Sequence, residues 1–162
     1  MIKTEKITKH DLKQLFDTTW HNDGYILQKY IHSKTKLGDP FDCRIRLEKN
    51  GRGFWEVAVY LVRIGSNQKV VSNVAQGGSV SRLRPFLESN FKENMESIKA
   101  SIENIANKLP YKLESIFQQN LISLGLDIGI EKGGQIYLFE VETGPANEFA
   151  MGEIAIIQRR GV

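Results

Sequence analysis

Gly125-Leu126-Asp127-Ile128-Gly129-Ile130-Glu131-Lys132-Gly133-Gly134-Gln135-Ile136-Tyr137-Leu138-Phe139-Glu140-Val141-Glu142-Thr143-Gly144-Pro145 reads as two short apolar strands around a Gly-Gly turn. Paired glycines between such runs signal a hairpin with a two-residue primed turn. With Gly133-Gly134 as that loop, Lys132 faces Gln135, and counting outward sets Asp127 directly opposite Glu140. Side chains alternate between faces along a strand, so Glu142 joins Glu140 on the same face. Like charges directly opposite repel. Three carboxylates on one patch therefore call for a cation, and hard oxygen donors of this kind suit Mg²⁺.

The surrounding chain is that of one ordinary domain. Its 162 residues suffice for a sizeable core, and 41% hydrophobic with 25% charged residues is usual for a soluble globular protein. A net charge of +3 is too mild to argue for nucleic acid. The single cysteine, Cys43, excludes an internal disulfide and accords with a reducing compartment. No apolar run is long enough for a bilayer, and the first residues lack the apolar stretch of a signal peptide. The expected place is the cytoplasm. Residues 152–162 read as a helix that simply stops, and the N-terminus opens on a partial helical pattern, which suggests part of a longer protein.

Ahead of the hairpin, residues 8–22 form a weak helix with Leu12, Leu15, Phe16 and Thr19 on one stripe. Residues 25–31 read as a strand. The strict alternation from Phe41 to Glu48 puts apolar residues on one face and Asp42, Arg44, Arg46 and Glu48 on the other. Asn50-Gly51 then turns the chain into a long strand, residues 54–64. A two-residue loop there sets Arg44 and Arg63 on one face, whereas a three-residue loop separates them unless a bulge intervenes. Residues 69–74 form a further short strand before the Gly77-Gly78 loop. Leu87, Phe91, Met95, Ile98, Ile102, Ile105 and Leu109 predict a helix of some 20 residues, ended or kinked by Pro110. Leu113, Ile116, Phe117, Leu121 and Leu124 mark a second, stopped by Gly125. The pattern is α+β, a mostly antiparallel sheet with helices packed on one face.

Ordinary roles exist for every residue singled out. Glu142 alone suits a solvent-facing strand end, and Asp127 a turn. The arginines could form a solvated face with Asp42–Arg44 and Arg46–Glu48 neighbours, or clamp phosphate or carboxylate. His10, His21 and His32 have no metal-site spacing, and Cys43 alternates inward as a core thiol. No nucleophile elbow, Walker loop or His-Glu-x-x-His is present.

Residues 25–31, Pro40-Phe41-Asp42-Cys43-Arg44-Ile45-Arg46, residues 49–57, Val71-Ser72-Asn73-Val74-Ala75-Gln76-Gly77-Gly78, residues 124–129 and Phe139-Glu140-Val141-Glu142-Thr143-Gly144-Pro145 occur in this order. Together they resemble the C-terminal half of an ATP-grasp domain, most closely the YheC/YheD family of endospore coat-associated proteins. The resemblance implies an ATP-grasp C-terminal subdomain over 25–162, with residues 1–24 the end of a missing lid subdomain. Gln28, Lys29, Tyr30 and Ile31 would form the hinge strand that meets the adenine. Arg44 and Arg63 would face phosphates or an acyl-phosphate, and Asn73 with Gly77 and Gly78 would line the acceptor side. Arg63 and Asn73 would be catalytic. Asp127 and Glu140 would hold Mg²⁺, and Glu142 stands where most ATP-grasp enzymes carry a metal-site asparagine.

The implied function is ATP- and Mg²⁺-dependent ligation of an unknown carboxylate to an amine or thiol, in a protein associated with the spore coat. The alternative is a non-catalytic spore structural protein on a decayed ATP-grasp scaffold. The absent lid, and an added acid beside triphosphate, argue that this chain alone does not turn over ATP.

Overall fold

The computed structural model describes residues 6–20, 28–65 and 78–144. The chain forms two compact units, Met1–Tyr30 and Ile31–Val162. In the first, Thr8 starts helix α1 (Lys9–Leu15) with a reciprocal capping box. Its hydroxyl accepts from the Asp11 N–H at 3.1 Å, while the Asp11 carboxylate accepts from the Thr8 N–H. Phe16–Trp20 continues as a π-helical turn. Residues 28–31 are not in a strand, against the expectation for 25–31, of which 25–27 lie outside the described residues. An aromatic and aliphatic run becomes a strand only beside a ladder that accepts it, and the described ladders form without these residues.

The second unit holds a five-stranded antiparallel sheet in the order β3-β2-β1-β4-β5. The strands are β1 (Phe41–Lys49), β2 (Trp55–Ile64), β3 (Ser79–Arg82), β4 (Ser123–Ile130) and β5 (Ile136–Thr143). Helices α2 (Leu83–Asn90) and α3 (Met95–Phe117) separate β3 from β4. Phe41, Cys43, Ile45 and Leu47 of β1 are buried, as the alternation predicts. Leu124, Leu126, Ile128 and Ile130 extend the same face, and Leu83, Phe86, Leu87, Ile98, Ile102 and Ala106 close over it. Phe41, Phe86 and Phe91 meet with centroids 4.6, 6.0 and 6.3 Å apart, in tilted and edge-on contacts. Burial pushes the Cys43 thiol far up, so it is an inert core residue. Both helices spend their apolar stripes on this cluster, which leaves the charged face of β1 outside it.

The helices break where the periodicity does not. The expected single run is interrupted at residues 91–94, where Phe91 leaves helical geometry and packs with Phe41 and Phe86. Pro110, expected to end or kink a helix, lies inside α3. It costs the bond to the Ala106 carbonyl, about 3 kcal/mol in a helix interior. Yet its ring completes the buried stripe of Ile98, Ile102, Ala106 and Pro110, spaced by four. The expected helix over Leu113–Leu124 is also corrected. α3 stops at Phe117, with Gln118 left-handed at φ 52°, and Leu124 belongs to β4. The expected strand over 69–74 and helix over 152–162 lie outside the described residues.

The β1–β2 and β4–β5 hairpins each use a three-residue loop followed by a bulge. Asn50 N–H donates to the Phe54 carbonyl at 2.9 Å, closing Gly51-Arg52-Gly53, and Gly53 has φ 82°. Glu131 N–H donates to the Gln135 carbonyl at 2.9 Å, closing Lys132-Gly133-Gly134, and Gly134 has φ 87°. A left-handed third residue is what such loops require, and glycine adopts it without strain. The register then slips once in each ladder, between Arg46 and Leu47 and between Asp127 and Ile128. The extra residues are Ala58 and Phe139.

Candidate functional site

Asp42, Arg44 and Arg46 project from the charged face of β1, and neighbouring strands bring their partners. Arg63 of β2 lies opposite Asp42, and Asp127 of β4 lies opposite Arg44. Glu140 of β5 lies opposite Asp127, with Glu142 two residues on. The expected Asp127–Glu140 register is therefore observed, although the two-residue loop is not. A longer loop shifts the pairing by one, and the bulge at Phe139 shifts it back. The Ala58 bulge likewise returns Arg63 to the face of Arg44.

The side chains interlock. Arg44 Nε is 2.5 Å from Asp127 Oδ1, and its Nη2 donates to Oδ2 at 2.9 Å. Its Nη1 reaches Glu142 Oε2 at 2.5 Å. Arg63 Nε donates to Asp42 Oδ1 at 2.6 Å, and its Nη2 is 3.0 Å from Asp127 Oδ2. Asp42, expected beside Arg44, pairs with Arg63, whereas Arg46–Glu48 holds at 2.6 Å. Two guanidiniums against Asp42, Asp127, Glu140 and Glu142 leave two formal negative charges unbalanced.

The donor set fits a hard divalent ion. Asp127, Glu140 and Glu142 each offer an oxygen within 4.8 Å of the others. Asp127 is only 8% exposed, and its Oδ1 has no aligned hydrogen-bond donor. Burial raises the Asp127 carboxyl above its usual value, against the pull of Arg63 and Arg44. The hydrogen bond from Arg44 holds Glu142 below the usual range. Burial lowers Arg63, but its bond and charge interaction with Asp42 outweigh this and raise it.

Residues 2–158 match the family model described as YheC/D like ATP-grasp. The chain belongs to the YheC/D-like ATP-grasp family. It is similar to Endospore coat-associated protein YheC of Bacillus subtilis (strain 168), 27% identical over 151 residues, or 91% of this chain and 41% of that protein. Endospore coat-associated protein YheD of the same organism is 25% identical over 126 residues, covering 77% of this chain and 27% of the relative. The chain thus spans less than half the length of either relative.

In this ATP-grasp domain the sheet gathers Arg44, Arg63, Asp127, Glu140 and Glu142. Asn73 and Gly77 lie outside the described residues, and Gly78 immediately precedes β3. Gln28, Lys29 and Tyr30 belong to the first unit and Ile31 to the second. Two members of the site face were missed. Asp42 was visible as an acid on the arginine face, but its partner lies on another strand. Phe139 looked like an ordinary apolar strand residue, yet it is the bulge that sets the register. The arginines form no bare stripe, since Arg44, Arg46 and Arg63 each face an acid and Arg52 sits in a loop. No helix among the described residues is long and apolar enough to cross a membrane.

Proposed function

We propose that this chain supplies the ATP- and Mg²⁺-binding face of a carboxylate–amine or carboxylate–thiol ligase. What supports the reading is the meeting of Asp127, Glu140 and Glu142 beside two guanidiniums on rigid strands. The three acids would hold Mg²⁺, which would neutralise phosphate oxygens during transfer. Arg63, anchored by Asp42, would orient the reacting phosphate or acyl-phosphate with its remaining donors. Arg44 would contact the same oxygens. Gln28, Lys29, Tyr30 and Ile31 would meet the adenine, and Asn73, Gly77 and Gly78 would line the acceptor side. Catalysis would consist of positioning and fixed charge.

Calorimetry and thermal melts test this directly. Mg·ATP is expected to raise the melting temperature. Asp127→Asn and Glu140→Gln should each weaken Mg·ATP binding tenfold or more, about 1.4 kcal/mol. Absence of Mg·ATP binding to the wild-type chain overturns the proposal.

One observation favours a second reading, a non-catalytic scaffold at the spore coat, where the relatives' names place them. Arg44 spends its charge on Glu142, the acid at an expected asparagine position. That reading predicts the same melting temperature with and without Mg·ATP.

A further inference from the structure

Arg44 stands in the way of the cation that its neighbours suit. Both oxygens of Asp127 are faced by guanidinium nitrogens, Oδ1 by Arg44 Nε at 2.5 Å and Oδ2 by Arg44 Nη2 at 2.9 Å and Arg63 Nη2 at 3.0 Å. Both oxygens of Glu142 are faced by Arg44 as well, at 2.5 Å to Nη1 and 3.4 Å to Nη2. Among the described residues, only Glu140 of the three acids is left without a hydrogen bond or ion pair. An ion that draws one oxygen from each acid would therefore sit against oxygens that Arg44 faces.

We infer that Arg44 is a placeholder cation, released only when metal and phosphate arrive together, so that the site binds the two as a pair. This rests on the proposed Mg·ATP reading and deepens it. Mg²⁺ demands near-ideal octahedral oxygens and repels a guanidinium at contact distance, so sharing is disfavoured. The Arg44 Nε–Asp127 Oδ1 contact is close but not aligned as a hydrogen bond, and both atoms are buried. Both acids that Arg44 pairs with, Asp127 and Glu142, belong to the trio that an ion would use. Arg63 keeps a separate anchor in Asp42 and stays.

Displaced by metal alone, Arg44 would be a poorly exposed charge stripped of its acids, which is costly. Phosphate oxygens brought by the nucleotide supply a new forked partner at the same place. Metal and anion thereby favour each other, and such coupling is reciprocal.

The test compares Mg²⁺ alone with Mg·ATP in calorimetry on the wild-type chain and Arg44→Met. The variant is expected to bind Mg²⁺ alone about tenfold tighter, and Mg·ATP about tenfold weaker. General damage to the fold would weaken both together. Equal or weaker binding of Mg²⁺ alone by a folded Arg44→Met overturns the placeholder role, while Mg·ATP binding that still depends on Asp127 leaves the ATP reading standing. No Mg·ATP binding by the wild-type overturns both. Should Arg44→Met not fold, arginine Nε–H NMR of the wild-type decides, assigned with Arg44→Lys. The Arg44 signal should stay put with Mg²⁺ alone and move with Mg·ATP, and an unmoved signal in the Mg·ATP complex overturns the inference.

Discussion

Arg44 and Gly129 show how much one position on β4 or β1 controls. Arg44 bridges Asp127 and Glu142, and Gly129 stands two residues along the same face of β4 as Asp127. A Cβ at Gly129 would come within 2.1 Å of the Phe139 ring, which lies over it. The glycine therefore seats the bulge residue that sets the acids' register. Gly129→Ala should destabilise the fold by roughly 1–3 kcal/mol, as overpacking does. In a Phe139→Ala background the same change should cost much less, because the clash is gone. Urea unfolding of the four proteins checks this, and equal costs in both backgrounds would remove Phe139 as the cause. Single residues were legible where one chain property decided them. Cys43 read as core from alternation alone, whereas the partner of Asp42 did not, because it sits on another strand.

At the level of elements, the two hairpins solve one problem in the same way. A three-residue loop turns the following strand over by one position, and a single extra residue turns it back. In β2 that residue is the exposed Ala58. Deleting Ala58 should straighten β2 while keeping Arg46–Val59 and Asp42–Arg63 as partners. Deleting Val62 also removes the odd count, but it turns Tyr60 towards the charged face and Val59 into the core. The Ala58 deletion is therefore expected to melt within a few degrees of the wild-type, and the Val62 deletion to lose roughly 1–3 kcal/mol or more. Thermal melts of both proteins check the order. Pro110 shows the limit of local signals in the same way: a helix breaker by propensity, it stays helical because its ring faces the core.

The whole second unit is a sheet with two unlike faces, and a polar latch ties its helical side to the strand ends. Glu114 of α3 accepts from Lys49 Nζ at 2.6 Å, Trp55 Nε1 at 3.1 Å and the Leu121 N–H at 3.0 Å. The bonds from Lys49 and Trp55 hold the Glu114 carboxyl below its usual value. A lowered folded value means the stabilisation is present above the ordinary glutamate range and is lost as pH falls through the lowered value. The stability lost in Glu114→Gln should thus be largest near neutral pH and shrink below pH 4.5. Urea titrations of both proteins at neutral and acid pH measure it, and a gap that stays constant would exclude ionisation as its source.

Across these scales, the sequence by itself determined the apolar and charged faces of β1, an antiparallel sheet with helices on one side, and the meeting of Asp127, Glu140 and Glu142 on one patch. Those features follow from periods of two and about 3.6 along one chain. Only the tertiary structure decided the loop lengths, the bulges at Ala58 and Phe139, the break at Phe91 and the pairing of Arg44 with Asp127, 83 residues away. A strand's period says which face a side chain takes, but its opposite number depends on every residue counted through the turn. Two departures that cancel leave no trace in the local pattern. The partner of each charge was settled by register and packing, where the free energies of distant segments are compared at once.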